Sequence, residues 1–396
     1  MIYSDLVWHR RQWDQLQTAV RAGRLAHAHL FHGPAGSGKE GHALELGALL
    51  NCRSPRDGTA CGLCDSCLKM ATLQHPDLHI VVPLPRRNPL DKHDPPLKAL
   101  RPADVQNLQA QLQAKGSDPY HKVALEGAHS ILINSIRELR RTAALKPAEG
   151  GWRVILIFDA EKLAQPTPAA ANALLKLLEE PPPQTVFILV TDRPNLLPPT
   201  IHSRCLRLHF PALPHAGAKA YIISRYNLDP TDADVLIHTC GGNLHLARQV
   251  LASGERGSLG GAADDLLEAL LQVKPRHWER LVNDLAQLWR RQPAELHYRL
   301  QMLQLWFRDL LVLSQTGSGE KLIFGHRREQ LQRHLDTFPR ALWGVAALAV
   351  ESGQSLLERQ VNPALLLTNL ILDIRQAMKG REAPRVGSLA APAGPA

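Results

Sequence analysis

The sequence lacks a long hydrophobic run. No stretch of its 396 residues approaches the roughly 20 consecutive apolar residues that a membrane-spanning helix needs. The first residues, MIYSDLVWHRRQW, also lack the apolar core and small-residue cleavage site of a secretory signal. We therefore expect a cytoplasmic protein that has no membrane partner.

Cysteine is also scarce. The chain has six cysteines, and four of them lie in one short segment. Since thiols in the cytoplasm stay reduced, this pattern argues against a disulfide framework and favours a metal site. The four candidate ligands are Cys52, Cys61, Cys64 and Cys67. Four thiolates close a tetrahedral Zn²⁺ shell and leave no open coordination position, so we expect structural zinc. The alternative is a set of free or helix-buried thiols.

The overall composition is that of a globular protein. Hydrophobic residues make up 44% of the chain and charged residues 21%, and this length predicts roughly two or three domains. The formal charge of +9 favours a polyanionic neighbour such as nucleic acid. Many basic proteins bind no nucleic acid, so charge alone does not decide the point.

The segment FHGPAGSGKE has the spacing of a phosphate-binding loop. Gly33, Gly36 and Gly38 let successive backbone N–H groups converge on phosphate oxygens, and Lys39 reaches the outer phosphates. The next residue in such loops is Ser or Thr, whose hydroxyl holds Mg²⁺. Here it is Glu40, which indicates a nucleotide-binding fold whose catalytic equipment has decayed.

A second departure follows the segment WRVILIF, which predicts a central buried parallel strand. A hydrolysing P-loop ATPase needs an acid at the end of this strand for the Mg²⁺ shell, usually followed by a Glu that polarises the attacking water. The chain continues with Asp159, Ala160 and Glu161, so neither register gives an intact acid pair. Another buried strand, TVFILVT, ends at Thr191, which we include among the nucleotide-binding candidates.

Several motifs, taken in order, resemble the clamp-loader branch of the AAA+ ATPases. They are the P-loop, the four-cysteine cluster, VILIFDAEKL, NALLKLLEEPPP, FILVTDRP and HSRC, and they cover most of residues 9–250. LLKLLEEPP together with SRC is the specific part. The resemblance implies an α/β P-loop module with a parallel sheet, a small helical lid and an all-α C-terminal collar domain.

The resemblance also implies a role for Arg204 in the SRC motif. In clamp loaders this arginine reaches across a subunit boundary to the γ-phosphate of ATP held by the neighbour, a task that suits a permanently charged, bidentate guanidinium. A structural arginine on a strand edge is the alternative. Active relatives also carry a lid arginine three residues after a glycine pair, where this chain has His245.

The expected domains combine the resemblance with composition. Residues 83–130 are rich in proline and charge and lack periodicity, which indicates an insertion or surface loop, either solvated or in contact with a phosphate backbone. The domains are a P-loop module at 1–210 with a zinc insertion near 51–70 and a charged insertion near 83–130, a lid at 211–252, a linker at 253–263, a helical collar at 264–380 and a disordered tail at 381–396.

These observations lead us to expect a non-motor, stator-like clamp-loader subunit. Its implied partners are the other clamp-loader subunits, met through the C-terminal domain, and through them the sliding clamp and primed DNA. ATP and Mg²⁺ are potential ligands because the loop glycines and Lys39 survive, but we expect no hydrolysis. One alternative is a self-sufficient ATP-hydrolysing motor subunit, and another is a zinc-dependent nucleic-acid-binding module.

Overall fold

The computed structural model describes residues 1–252, 266, 268, 270, 278–319, 321–357 and 362–381. The chain divides into two compact units, the first made of Met1–Tyr221 with Gly242–His245 and the second of Ile222–Gly241 with Leu246–Ala396. The predicted linker at 253–263 and, apart from Arg381, the predicted tail lie outside the described residues.

A five-stranded parallel sheet forms the centre of the first unit. Its strands are β1 (Ala28–His32), β2 (Leu78–Val81), β3 (Arg153–Ile157), β4 (Thr185–Thr191) and β5 (Leu206–His209), and they lie in the order β2-β3-β4-β1-β5. Every residue of β3 and β4 is buried, as expected for central parallel strands covered on both faces. On one face, Leu30, Ile155 and Leu189 pack against two helices through residues such as Ile136 and Leu174. The predicted α/β fold class is confirmed.

The helices connect these strands and build the second unit. In chain order they are α1 (Arg10–Arg21), α2 (Lys39–Asn51), α3 (Asp65–Ala71), α4 (Pro102–Ser117), α5 (Ile133–Ala143), α6 (Ala169–Glu179), α7 (Pro199–His202), α8 (His215–Tyr226), α9 (Pro230–Thr239), α10 (Leu244–Ala252), α11 (Trp278–Arg291), α12 (Pro293–Thr316), α13 (Arg328–Thr337), α14 (Trp343–Leu357) and α15 (Pro363–Met378). Short 3₁₀ turns lie at Pro96–Ala99, Ala160–Ala164, Pro194–Leu196 and Gly325–Arg327.

One segment differs from the sequence-based expectation. Part of the stretch at 83–130 that was expected to be a loop is the helix α4, whose buried residues are Leu108 and Lys115. Because one of these two residues is a lysine, the helix has no apolar stripe, and hydrophobic periodicity fails to reveal it.

All regular secondary structure in the described residues of the second unit is helical. Aromatic packing holds α12 to its neighbours: the Phe307 and Trp343 rings stack with centroids 5.9 Å apart, and Trp306 Nε1 donates to His334 Nδ1 at 3.2 Å. Among the described helices, none is long and apolar enough to cross a bilayer.

Candidate functional site

The loop after β1 turns sharply at its glycines. Gly33, Gly36 and Gly38 have φ angles of +146°, +70° and +81°, which glycine adopts without the steric cost of a Cβ atom. At Gly33 the contact is also close, since a Cβ there would lie 1.9 Å from the carbonyl oxygen of Phe210. The helix α2 starts at Lys39, so the loop leads directly into a helix N-terminus.

This loop forms one wall of a cleft. Four of the predicted nucleotide-binding residues, Gly36, Gly38, Lys39 and Glu40, line it together. The other lining residues are Ala35, Ser37, Lys115, Pro119, Tyr120, Lys122, Val190, Asp192 and His245. Gly33 and Thr191 do not line the cleft directly.

Lys39 points back into its own loop. Its ammonium lies 2.9 Å from the carbonyl oxygen of Gly33, 2.6 Å from that of Pro34 and 2.7 Å from Asp192 Oδ1. The side chain is 3% exposed. The lysine that would reach a nucleotide phosphate therefore already forms an ion pair and hydrogen bonds within the chain.

Glu40 is engaged by a buried lysine. Its carboxylate forms an ion pair with Lys115, whose side chain is 1% exposed. The same ammonium donates to the carbonyl oxygens of Pro119 and His121, at 2.8 Å each. Where a phosphate-binding loop has a hydroxyl for Mg²⁺, this chain has a carboxylate with an internal partner.

The acid at the end of β3 is paired as well. Asp159 lies 2.7 Å from the Lys122 ammonium and 3.2 Å from that of Lys162, and Lys122 also lies 3.5 Å from Asp192. Burial alone would raise the pKa of the Asp159 carboxyl, but the two lysines outweigh burial and lower it. Asp192 behaves in the same way, with Lys39 and Lys122 lowering its pKa against burial.

Glu161 and Thr191 contact each other and do not line the cleft. The Thr191 hydroxyl donates to Glu161 Oε2 at 2.6 Å, and both residues are buried. Burial raises the pKa of the Glu161 carboxyl despite this hydrogen bond. Glu161, the next acid after Asp159 in the sequence, is therefore hydrogen-bonded to β4.

A P-loop fold implies a Mg²⁺ ion with its nucleotide, and the residues present do not fit the ion. Mg²⁺ needs oxygen ligands in near-octahedral geometry, usually with carboxylates free to face it. Here the hydroxyl position carries Glu40, and Asp159 faces two ammonium groups. Sequence reasoning missed Lys115, Lys122 and Asp192, and only the short apolar strand before Asp192 gave a signal for one of them.

Arg204 lies in the turn between α7 and β5, away from this cleft's lining. Its guanidinium donates to the carbonyl oxygen of Thr200 at 2.9 Å and pairs with Glu179 at the end of α6. The two side chains are 32% and 46% exposed. The structure thus places the predicted arginine finger in a solvent-accessible ion pair.

The four candidate zinc ligands come together between α2 and α3. The sulfur atoms of Cys52, Cys61, Cys64 and Cys67 all lie within 4.8 Å of one another, and those of Cys61 and Cys67 are 3.8 Å apart. A tetrahedral shell with Zn–S bonds of about 2.3 Å separates its sulfurs by about 3.8 Å. Backbone N–H groups of Leu63 and Cys64 donate to Cys61 Sγ and lower the pKa of that thiol to about 6. The donor set and its spacing fit Zn²⁺.

Comparison with known proteins places these features in a family. Residues 8–214, just over half of the chain, match the family described as DNA polymerase III, delta subunit. The chain is 29% identical over 306 residues to the delta prime subunit of Pseudomonas aeruginosa, covering 76% of this chain and 74% of that protein. It belongs to the delta prime family of DNA polymerase III subunits.

Two further relatives are also similar to this delta prime family member. The delta prime subunit of Bacillus subtilis is 26% identical over 363 residues, which cover 91% of this chain and 94% of that protein. The tau subunit of Escherichia coli is 27% identical over 305 residues, covering 72% of this chain. The chain spans only 40% of the length of that tau subunit. The resemblance stated from the sequence motifs is confirmed.

Proposed function

We propose that this delta prime family member is a non-motor, stator-like subunit of the DNA polymerase III clamp loader. In that role it helps to load the sliding clamp on primed DNA and supplies Arg204 to ATP held by a neighbouring subunit. The observation that carries the proposal is the internal pairing of Lys39 and Glu40, which line the chain's own cleft, and of Asp159, whose partner Lys122 lines it. Productive binding of Mg²⁺ and ATP would require all three ion pairs to be broken.

The exposure of Arg204 supports its role toward a neighbour. Ion pairs between exposed side chains are worth about 0–1 kcal/mol, so a phosphate can replace Glu179 at little cost. Two of the three pairs, those of Lys39 and Lys115, involve lysines that are 1–3% exposed, and breaking a buried pair costs several times more, about 3–5 kcal/mol. The chain therefore holds its own phosphate-binding lysine firmly and the proposed finger loosely.

Assembly through the C-terminal helices is the second part of the proposal. Leu348 on α14 and Leu365 and Leu372 on α15 are 62%, 60% and 38% exposed. Large apolar side chains on one helical unit favour contact with another protein. The lid at 211–252 and the collar at 264–380 stay predictions, as does contact of residues 83–130 with DNA.

The zinc assignment is the third part. We expect one Zn²⁺ per chain, bound by Cys52, Cys61, Cys64 and Cys67, with a structural role because the shell is complete. Metal analysis of the purified chain and of Cys64→Ser tests it. The assignment fails if wild type and variant carry equal zinc, or if zinc removal leaves the melting temperature unchanged.

Reconstitution with the motor subunits of the same organism tests Arg204. Arg204→Ala should leave assembly intact on a sizing column and lower DNA-stimulated ATP hydrolysis by the neighbour by about 10³-fold or more at the site it faces. Arg207→Ala, an exposed arginine three residues away, is the matched control and should have no effect. Unchanged hydrolysis by the Arg204→Ala complex would refute the finger, and Lys39-dependent hydrolysis by the isolated chain would refute the non-motor role.

A further inference from the structure

Lys122 lines the cleft and contacts two acidic side chains. Its ammonium lies between two carboxylates, 2.7 Å from Asp159 Oδ1 and 3.5 Å from Asp192 Oδ2. Asp159 lies two residues after the end of β3, where a P-loop ATPase has the acid that faces its Mg²⁺ shell. The lysine thus contacts the group that a divalent cation would need.

The backbone around Lys122 is fixed by its own contacts. The carbonyl oxygen of His121 accepts from the buried Lys115 ammonium at 2.8 Å, and Tyr120 N donates to Asp118 Oδ1 at 2.8 Å. The Tyr120 hydroxyl in turn accepts from Val7 N at 2.9 Å. These hydrogen bonds fix the backbone next to Lys122, so the side chain is positioned at the two carboxylates by the fold and differs from a freely moving surface lysine.

The charge of the cluster opposes a metal ion. Three ammonium groups, those of Lys39, Lys122 and Lys162, pair directly with the two carboxylates of Asp159 and Asp192. A divalent cation placed at those carboxylates would be repelled at close range by the lysine that already bridges them.

We propose that the Lys122 ammonium is a built-in replacement for the divalent cation of a P-loop site. The cleft of this chain is therefore independent of Mg²⁺, and removing this one ammonium opens a site for a hard divalent cation at Asp159 and Asp192. The proposal goes beyond the clamp-loader role. It concerns the isolated chain and involves neither a partner subunit nor ATP hydrolysis.

Binding of Mn²⁺, measured by electron paramagnetic resonance on the zinc-loaded full chain, tests the proposal. Lys122→Met keeps the apolar stem of the side chain and should bind one Mn²⁺ at least about tenfold more tightly than wild type. Lys162→Met is the matched control, because it removes a second lysine from Asp159 but leaves Lys122 between the acids, and it should stay like wild type. Adding Asp159→Asn to Lys122→Met should abolish the new site.

The outcomes separate cleanly. Equal Mn²⁺ affinity in Lys122→Met and wild type would overturn the proposal, as would a gain of equal size in Lys162→Met. If Lys122→Met cannot be purified, Lys122→Gln replaces it, and the wild type gives an independent answer: a saturable Mn²⁺ site that Asp159→Asn removes would contradict a built-in counter-ion. Such a failure leaves the reconstitution result for Arg204 unaffected, and the reverse holds too.

Discussion

Replacing the buried lysine of α4 is the sharpest stability test of the cleft. Lys115 donates to the Glu40 carboxylate and to the carbonyl oxygens of Pro119 and His121. Lys115→Met keeps the apolar stem and removes the charge, so one carboxylate and two carbonyl groups lose their donor. Because each was satisfied by the same ammonium, no single neighbouring group can take over all three roles.

The size of the effect follows from burial. Removing one partner of a buried ion pair costs about 3–5 kcal/mol. The Glu40 side chain is 18% exposed, so water partly compensates it, and we expect a loss near the lower limit, about 3 kcal/mol in the free energy of unfolding. For a unit of this size each kcal/mol lowers the melting temperature by about 2–4 °C, which gives a decrease of about 6–12 °C.

Calorimetric melting of wild type and variants measures this shift. Lys98→Met is the matched control, since Lys98 pairs with Asp94 in an exposed contact, 57% exposed on the lysine side, and should melt like wild type. The double variant Glu40→Gln/Lys115→Met should be more stable than Lys115→Met, because it leaves no unpaired charge. A melting temperature for Lys115→Met as close to wild type as that of the control would refute the pairing.

Two other predictions concern Glu45 and Gly33. Burial raises the pKa of the Glu45 carboxyl from 4.5 to about 7, so the folded chain keeps a proton that the unfolded chain loses, and stability should fall as pH rises through that range. Glu45→Gln should remove this decline in urea unfolding compared at about pH 5 and about pH 8, and an unchanged slope would contradict it. Gly33→Ala, which brings Cβ to 1.9 Å from Phe210 O at a φ of +146°, should melt far below Gly150→Ala, which also has a positive φ, of +74°, but open space; similar melting would contradict this prediction.

The sheet could be predicted from the sequence because its central strands are buried on both faces. The run TVFILVT coincides with β4 at Thr185–Thr191, and WRVILIF contains β3 at Arg153–Ile157. Continuous apolar runs of this length have few other structural uses in a chain of ordinary composition. The phosphate-binding loop and the four-cysteine site could be predicted for a similar reason, since the spacing of the glycines and of the cysteines satisfies a local geometric requirement.

The charged interior of the cleft could not be predicted in this way. Lys115 and Lys122 follow a proline-rich segment and carry charge, so both periodicity and composition predict that these two side chains are exposed to solvent. Their burial depends on Glu40, Asp159 and Asp192, which are distant in the chain and meet only at the carboxyl edge of the sheet. An ion pair between remote residues has no local signal in one sequence.

The contrast between two kinds of ion pair connects the fold to the proposed function. Two of the lysines that line the cleft, Lys39 and Lys115, are 1–3% exposed and each has a carboxylate and carbonyl oxygens as partners, so moving either ammonium breaks several interactions at once. Arg204 also has a carboxylate and a carbonyl oxygen as partners, but its side chain is 32% exposed and the carboxylate it contacts is 46% exposed. A guanidinium held by a weak, hydrated pair can exchange that partner for phosphate oxygens without disturbing the core. A cleft whose charges are paired internally, combined with one more exposed cation, is the distribution of charge that the proposed role predicts.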